Sequence, residues 1–590
     1  MLSTGMRAPN RQDRVRTVRE FIAAGRLEEA EELLDGLVDT SDPDTLNARA
    51  ALALARRRTE FAFDMLAEAA TVYPEHAGLT ANLGIAHGLL GRAEEAVICL
   101  ERAAALAPRN EEIKLALAHA LLSRGDVAEA RAMTETVVRD EPGNARALLQ
   151  LGAIEFALGR SSAAEAVLRR ATEIAPDDPD TLRNLSVVML QRSCLDEALS
   201  LAERAHLRAP LDIAGLLHLA YCRAATGLWQ QAEAICKKLL AYIPAHVEAH
   251  EILARVTIAK GEADRGISQL TQFVRTRKSE PSATLALARV LQLVGRFDEA
   301  FELASHVLHT RPENEAAKSL QTTLELTLGH FPMPEPSVLA HVSQIVVPPT
   351  MGALEFIALA RLLRRLPSPQ DVHVVAQPRH QALLTNLAEQ VILDEAGPTS
   401  SAMPLQSLLR VLPTDARNIA DGIPYLRPEA ELLTKWRDAL AAFARPLVGI
   451  VWEGGAIGLS MEQVAAATPN SVTPVSLMSG AQRHHMKRWS RPVDAGVHIE
   501  SPAEMIAAIA NLDAVIGPDN FAIHIAGALG VPGVVFVPPG YPWYWAQADG
   551  KPLWYPSFEV VVQEGLGSWA GAINKGRRRL EALLRASTSD

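Results

Sequence analysis

The pattern of apolar and polar positions changes near Thr327. Before this residue, segments with apolar residues at helical spacing alternate with turns, and the pattern returns every 34 residues. After it, short β-branched runs alternate with helical segments, which is typical of strands and helices built around a parallel sheet. The sequence therefore predicts a helical repeat array followed by an α/β region.

Three series of residues share the 34-residue period. A glycine suits the end of the first helix, a small residue lets the second helix approach closely, and a proline ends that second helix. The prolines are Pro74, Pro108, Pro142, Pro176, Pro210, Pro244 and, two periods on, Pro312. The glycines are Gly91, Gly125, Gly159, Gly227, Gly261 and Gly295, with Ser193 in the one gap. The small residues are Ala96, Ala130, Ala164, Ala198, Ala232, Gly266 and Ala300.

This unit resembles the tetratricopeptide repeat (TPR), and residues 90–110 match its second half closely. The resemblance implies a TPR solenoid of about nine repeats over residues 13–327, after an N-terminal tail of residues 1–12. Such a solenoid has a groove lined by the first helix of each unit, which in this family holds a peptide or a partner helix. The periodic residues pack helices, so they do not identify the groove residues that bind.

The second part is expected to begin after a proline-rich linker, residues 328–337. Its pattern predicts two Rossmann-like halves, residues 338–443 and 444–590, with a ligand cleft beyond the carboxyl ends of the strands. A helix is predicted over Gly352–Leu366, and another after a capping box formed by Ser501 and Glu504. Predicted strands are Ser343–Val347, Val372–Val375, Leu447–Trp452, Ser471–Leu477, Val497–Glu500, Ala514–Gly517, Gly533–Val537 and Glu559–Gln563.

Residues 513–537 are the most informative stretch and predict strand, loop, helix, turn and strand. Asp519 and Asn520 lie where the helix begins, and free backbone N–H groups there attract anionic groups such as a nucleotide phosphate. From the residues alone, Asp519 could equally be an N-cap and His524 a satisfied core histidine.

The spacing of Asp519, His524, Ala526, Ala528, Gly530 and Pro532 resembles the donor-binding motif of heptosyltransferase-type glycosyltransferases with the GT-B fold. Residues 542–563 are similar to the tryptophan-rich tail of a subgroup in which TPRs are fused to this domain. The combination resembles the bacterial flagellin glycosyltransferases, cytoplasmic proteins whose repeats bind flagellin and whose GT-B part adds a nonulosonic sugar such as pseudaminic acid. By this resemblance Asp519, Asn520 and His524 contact the donor, and Gly352, Gly454 and Gly527 complete the donor-binding set.

An inverting transfer needs a carboxylate to take the proton of the acceptor hydroxyl. Related enzymes carry a Gly-Asp pair at the first helix of the N-terminal half, and residues 350–366 lack that Asp. Glu355 is the nearest carboxylate and the first candidate base, with an exposed helix glutamate as the alternative. Glu453, in the loop after a strand, is the second candidate, for the base or for a ribose hydroxyl.

Two further features leave alternatives open. The basic loop of residues 480–491 either clamps a donor phosphate or is merely solvated. The aromatic residues either stack on the base or sugar or pack the two halves together. They are Trp543, Tyr544, Trp545, Trp554 and Tyr555.

Composition narrows the function classes. The 590 residues are 48% hydrophobic and carry a net charge of −11, which argues against a nucleic-acid partner. The sequence has no apolar run of about 18 or more residues and no signal peptide, so a cytoplasmic protein without membrane insertion is expected. No metal-ligand spacing is visible, so no bound metal or cofactor is expected, and a nucleotide sugar is expected as co-substrate. The sequence predicts a protein O-glycosyltransferase; a TPR scaffold with a degenerate enzyme domain and an envelope-polysaccharide transferase are the alternatives.

Overall fold

The structure is a computed structural model that divides into two compact units, Met1–Ser193 and Cys194–Asp590. It describes residues 11–587 except for residues 24, 37–40, 159, 193, 278–279, 331–343, 349–350, 367–371, 377–379, 381–382, 385–386, 388–391, 394–401, 453–457, 479–482, 484–488, 490 and 566–567. In the described part, no helix has the length and apolar character needed to cross a bilayer.

The first unit is a series of helix pairs. Its helices are α1 Arg11–Ala23, α2 Leu27–Asp35, α3 Pro43–Ala55, α4 Thr59–Val72, α5 Ala77–Leu89, α6 Ala93–Leu106, α7 Glu111–Arg124, α8 Val127–Asp140, α9 Ala145–Ala157, α10 Ser161–Ile174 and α11 Pro179–Gln191.

The second unit continues with the same kind of helix and then changes to an α/β region. Its repeat helices are α12 Leu195–Arg208, α13 Ile213–Ala225, α14 Trp229–Tyr242, α15 Val247–Ala259, α16 Ala263–Arg275, α17 Pro281–Leu293, α18 Phe297–Thr310 and α19 Glu315–Thr327. The later helices are α20 Ala353–Ala360, α21 Leu408–Val411, α22 Ala430–Leu440, α23 Met461–Ala467, α24 Pro502–Ile509, α25 Phe521–Leu529 and α26 Ala570–Ser587.

The periodic residues have the packing roles that the sequence predicts. Gly91, Gly125 and Gly295 have φ of 76°, 101° and 78°, the left-handed conformation in which glycine avoids a Cβ clash. Ala96 and Ala300 are fully buried between helices. Many of the first helices also begin at an Asp or Asn whose side chain accepts an N–H three residues on, which satisfies an otherwise unpaired donor. These caps are Asp42, Asn110, Asn144, Asp178, Asp212 and Asn314.

The α/β region contains two parallel sheets. The strands are β1 Gln344–Val346, β2 His373–Val375, β3 Ile392–Leu393, β4 Met403–Pro404, β5 Leu447–Ile450, β6 Thr473–Ser476, β7 Val493–Asp494, β8 Ala514–Pro518, β9 Gly533–Val537, β10 Gln547–Ala548, β11 Lys551–Pro552 and β12 Phe558–Val562. The four-stranded sheet has the order β3-β2-β1-β4, and the six-stranded sheet has the order β7-β6-β5-β8-β9-β12. Both orders reverse direction beside the first strand, as doubly wound sheets do. β10 and β11 form a separate antiparallel pair.

Most strand predictions are confirmed within two residues, but the strand predicted at Val497–Glu500 is wrong. The edge strand is β7, and a 3₁₀ turn at Ala495–Val497 follows it. A Cβ at position 496 would lie 1.8 Å from the carbonyl oxygen of Met478, so only glycine fits in this turn, and Val497 is 44% exposed. The β-branched residue that suggested a strand is therefore a surface residue.

One half of the capping box predicted at α24 is confirmed, the hydrogen bond accepted by the Ser501 side chain. Ser501 accepts the N–H of Glu504, while the Glu504 carboxylate accepts from Lys435 Nζ at 2.5 Å. The helix predicted over Gly352–Leu366 is also present, as α20 followed by a 3₁₀ turn at Arg361–Arg365.

One hydrophobic core serves both sheets. It extends from Leu326 on α19 to Leu580 on α26, and it includes Tyr425 and Trp554. The aromatic residues around Trp545 and Trp554 are buried in this core, which favours the interpretation that they pack the halves together.

Candidate functional site

The loop after β8 places the central residues of the predicted donor motif. Asn520 is the N-cap of α25, because its side chain accepts the N–H of Ala522 at 2.8 Å. Asp519 is therefore not the cap, and its carboxylate is available for other contacts at the carboxyl end of β8.

The Asp519 carboxylate is held by two aromatic neighbours. The Tyr544 hydroxyl donates to Oδ2 at 3.1 Å, and His524 Nε2 lies 3.0 Å from Oδ1. Since a carboxylate only accepts, Nε2 carries the proton, and in the neutral ring Nδ1 accepts from the Tyr555 hydroxyl at 2.9 Å. His524 is fully buried, whereas the Asp519 side chain is 16% exposed. Asp519 is thus the exposed end of a buried hydrogen-bond network.

The tyrosines of this network are kept protonated. Burial, followed by the charge of Asp519 and the hydrogen bond to it, raises the pKa of Tyr544 far above its usual range. Burial also raises the pKa of Tyr555 well above its usual value. Both hydroxyls therefore remain hydrogen-bond donors: Tyr544 orients the Asp519 carboxylate, and Tyr555 orients the His524 ring.

A buried arginine joins this network to the other sheet. Arg361, just after α20, donates to the carbonyl oxygens of Ala358, Ile419 and Trp554 at 3.1, 3.3 and 2.6 Å. Its guanidinium also lies 5.0 Å from the ring centroid of Tyr555, within range for a cation–π contact. Arg361 therefore connects α20 to the segment that positions His524.

Glu355 lies on the first turn of α20, which packs against α25. It is half-buried, and burial raises the pKa of its carboxyl. Glu355 and Trp543 line one cleft, and the Trp543 ring lies 5.2 Å, between ring centroids, from Tyr544, the tyrosine that donates to Asp519. The structure thus brings Glu355 and Asp519 to the same neighbourhood.

A cleft of about 500 Å³ opens beside Glu355. One side is formed after β1 by Pro348 and Met351 and after β4 by Gln406 and Ser407. This is the point where the strand order of the four-stranded sheet reverses, the usual ligand position in such sheets. The lining also includes Trp543, from the segment after β9, and residues of α19.

The remaining predicted site residues are placed differently. Gly352 is the N-cap of α20, with open space where a Cβ would lie. Gly527 is buried, and a Cβ there would lie 2.3 Å from Tyr555 Cδ1, so this glycine provides room for a ring. Glu453 and Gly454 lie outside the described residues, as does most of the basic loop; Arg483 from that loop pairs with Asp494 at 2.6 Å.

Sequence reasoning missed Arg361 and the contribution of α19. Arg361 is one of three arginines in a short run, and only burial distinguishes it from its neighbours. In the described residues, no group of three His, Cys, Asp or Glu side chains is arranged to hold a metal ion.

Comparison with known proteins supports the repeat assignment. Residues 80–110 and 115–179 match two tetratricopeptide-repeat family models. The chain is 27% identical over 362 residues to cellulose synthase 2 operon protein C of Komagataeibacter xylinus. The aligned region covers 57% of this chain and 27% of that protein. It is also 27% identical over 184 residues to protein O-mannosyl-transferase TMTC1 of Homo sapiens. That aligned region covers 30% of this chain and 21% of that protein. The chain thus spans about a quarter of the length of these relatives.

Among solved structures, the chain is similar to a TPR protein from Parabacteroides merdae, with 15% identity, a TM-score of 0.34, and 42% of this chain and 97% of that chain covered. It is also similar to a thermophilic TPR protein in Thermus thermophilus, with 25% identity, a TM-score of 0.27, and 31% and 99% covered. The N-terminal part of the chain is a mostly helical array of tetratricopeptide repeats, followed by a smaller α/β region with parallel sheets.

Proposed function

We propose that this chain is a GT-B type protein O-glycosyltransferase that uses a nucleotide-sugar donor and acts in the cytoplasm. The observation that carries the proposal is the packing of α20, which bears Glu355, against α25, the helix that follows Asp519, beside the carboxyl ends of the two doubly wound sheets. Two relatives whose names refer to glycan synthesis or sugar transfer support the same class of reaction.

The donor belongs at the carboxyl end of β8 in this proposal. The first backbone N–H groups of α25 carry partial positive charge, which favours the phosphates. Asp519 contacts the sugar or ribose, and His524, being buried, acts by orienting Asp519. Glu453 and Gly454 follow β5, the strand next to β8, and stay predicted donor or base residues.

Glu355 is proposed as the base. Its carboxylate takes the proton of an acceptor Ser or Thr hydroxyl, the oxygen bonds to the anomeric carbon, and the bond from that carbon to the nucleotide phosphate breaks. A raised pKa makes the carboxylate a stronger base at neutral pH than an ordinary glutamate. The repeats would recruit the acceptor and raise its local concentration at the cleft.

The proposed acceptor is flagellin, and the proposed sugar is a nonulosonic acid such as pseudaminic acid. Intact-mass spectrometry of flagellin from a gene-deletion strain tests this, with complementation by the wild type, Glu355→Gln and Asp519→Asn. We expect the deletion to remove sugar-sized mass increments, the wild type to restore them, and both variants to fail. Glu462→Gln, on α23 outside this cleft, is the matched control that should restore them.

Other results would redirect the assignment. Full restoration by Glu355→Gln, with loss in Glu453→Gln, would move the base to Glu453. If no protein changes mass in the deletion strain, the scaffold and envelope-polysaccharide functions replace this proposal.

A further inference from the structure

The last repeat helix, α19, forms one wall of the cleft beside Glu355. The α19 residues that line the cleft are Glu315, Lys318, Ser319, Thr322, Thr323, Glu325 and Leu326. Apart from Glu325, they follow one another at intervals of three and one residues along a single helical face. A repeat helix thus presents a largely polar face toward the candidate base.

This wall is fixed to the α/β region. Leu326 is buried in the core that serves both sheets, and α19 packs against the 3₁₀ turn at Trp543–Trp545. The preceding repeat helices are fixed in the same way, because the Phe297 and Tyr541 rings are in edge contact at 5.1 Å. The α19 face is therefore a preformed part of the cleft.

The charges of the lining do not suit a diphosphate. Lys318 is paired with Glu315 at 2.6 Å, and Arg410 is accompanied by Glu325 and Glu355. A nucleotide donor needs an excess of positive charge or free N–H groups, and this lining has no excess of positive charge. The cleft is better suited to a neutral or mixed-charge ligand.

The hydroxyls on α19 match an extended polypeptide. Residues four apart on a helix are about 6 Å apart along its axis, as Ser319 and Thr323 are placed. Side chains on one side of an extended chain repeat at about 6.6 Å, close to this spacing. The Thr323 hydroxyl donates to the Ser319 carbonyl oxygen at 2.9 Å, so it can accept from a bound strand, while the exposed Ser319 hydroxyl can donate or accept.

We propose that the cleft binds the acceptor as an extended segment, with its target hydroxyl at Glu355, and that Ser319, Thr322 and Thr323 on α19 help to determine which segments are accepted. This inference rests on the proposed function and deepens it. The repeat array then does more than recruit the acceptor, because its last helix forms part of the site of transfer.

The test compares two arginine substitutions on α19 in the full chain. Thr322 is exposed in the cleft wall, whereas Ala316 is exposed on the same helix outside the cleft lining. In the deletion strain, Thr322→Arg should lower the mass-shifted fraction of the acceptor protein roughly tenfold or more, since small displacements at a reacting centre have effects of that size. Ala316→Arg should remain within about twofold of the wild type. Ser319→Arg, on the cleft face, is the second variant if Thr322→Arg melts at a lower temperature than the wild type.

The outcomes separate this inference from the proposed function. If the wild type restores no mass increment, the proposed function fails and this inference fails with it. If the wild type and the well-folded cleft-face variant restore the increments equally, the proposed transferase function stands. The proposal that α19 contributes to acceptor binding is then overturned. Equal loss in Ala316→Arg and Thr322→Arg would also overturn it, because the effect would not depend on the cleft face.

Discussion

At the scale of single residues, burial is the main cause that raises the pKa values of Glu355 and Tyr544, the two titratable groups on which the proposed site depends. Half-burial raises the pKa of Glu355, while deeper burial and then the charge of Asp519 raise the pKa of Tyr544. The carboxyl and the phenol nevertheless have opposite tasks, since Glu355 must be unprotonated to take a proton during transfer and Tyr544 must keep its proton to hold Asp519.

The raised pKa of Glu355 predicts two pH dependences. Transfer should fall with decreasing pH at a higher pH than the range of an ordinary glutamate, because the protonated carboxyl cannot act as a base. The folded state also binds this proton more tightly than the unfolded chain does. Its stabilising contribution is therefore present below the unfolded pKa and is lost as the pH rises through the folded pKa.

Glu355→Gln should consequently raise the free energy of unfolding relative to the wild type at neutral pH, and this difference should shrink in acid. Denaturant unfolding across the pH range measures it. Glu315→Gln, at an 82% exposed side chain, is the control and should show little difference at any pH. A Glu355→Gln protein that is less stable than the wild type at neutral pH would contradict the assigned burial effect.

At the scale of elements, α25 depends on a glycine that the donor motif does not explain. Gly527 faces Tyr555, the residue that contacts His524 Nδ1. The glycine lets the ring approach the helix, and the ring in turn fixes the histidine. The sequence predicts that Gly527 contacts the donor, whereas in the structure Gly527 makes room for the ring that holds His524.

Gly527→Ala should lower the free energy of unfolding by about 1–3 kcal/mol, since the clash outweighs the roughly 1 kcal/mol gained from helix propensity. Equilibrium unfolding measures the change. Gly143→Ala lies where nothing is within 4 Å and should alter stability by less than about 0.5 kcal/mol. Equal effects at the two positions would show that Tyr555 is not packed against α25 as described.

At the scale of the whole molecule, the repeat helices of the second unit share structure with the α/β region. Leu324 and Leu326 lie two residues apart on α19 but belong to different cores. Leu324 is buried among repeat helices, and Leu326 belongs to the core that serves both sheets, where α19 packs against the 3₁₀ turn at Trp543–Trp545. The end of the repeat array is therefore also part of the α/β region.

Leu324→Ala and Leu326→Ala should each cost about 2–5 kcal/mol, the usual range for a buried leucine, but in different places. Amide hydrogen exchange should increase in α17 and α18 for Leu324→Ala, and in the 3₁₀ turn at Trp543–Trp545 for Leu326→Ala. Each variant is the control for the other. Identical exchange patterns would mean that the two cores unfold as one.

The sequence by itself determined the repeats, the alternation of strands and helices, and the position of Asp519 after β8. These features follow from local physics, because glycine, proline and capping residues act within a few positions of their place in the chain. Only the tertiary structure decided which arginine of the run after α20 is buried, that Gly527 makes room for Tyr555, and that α19 borders the cleft. Each of these depends on contacts between residues far apart in the chain, and no local pattern encodes which distant surface a side chain will meet.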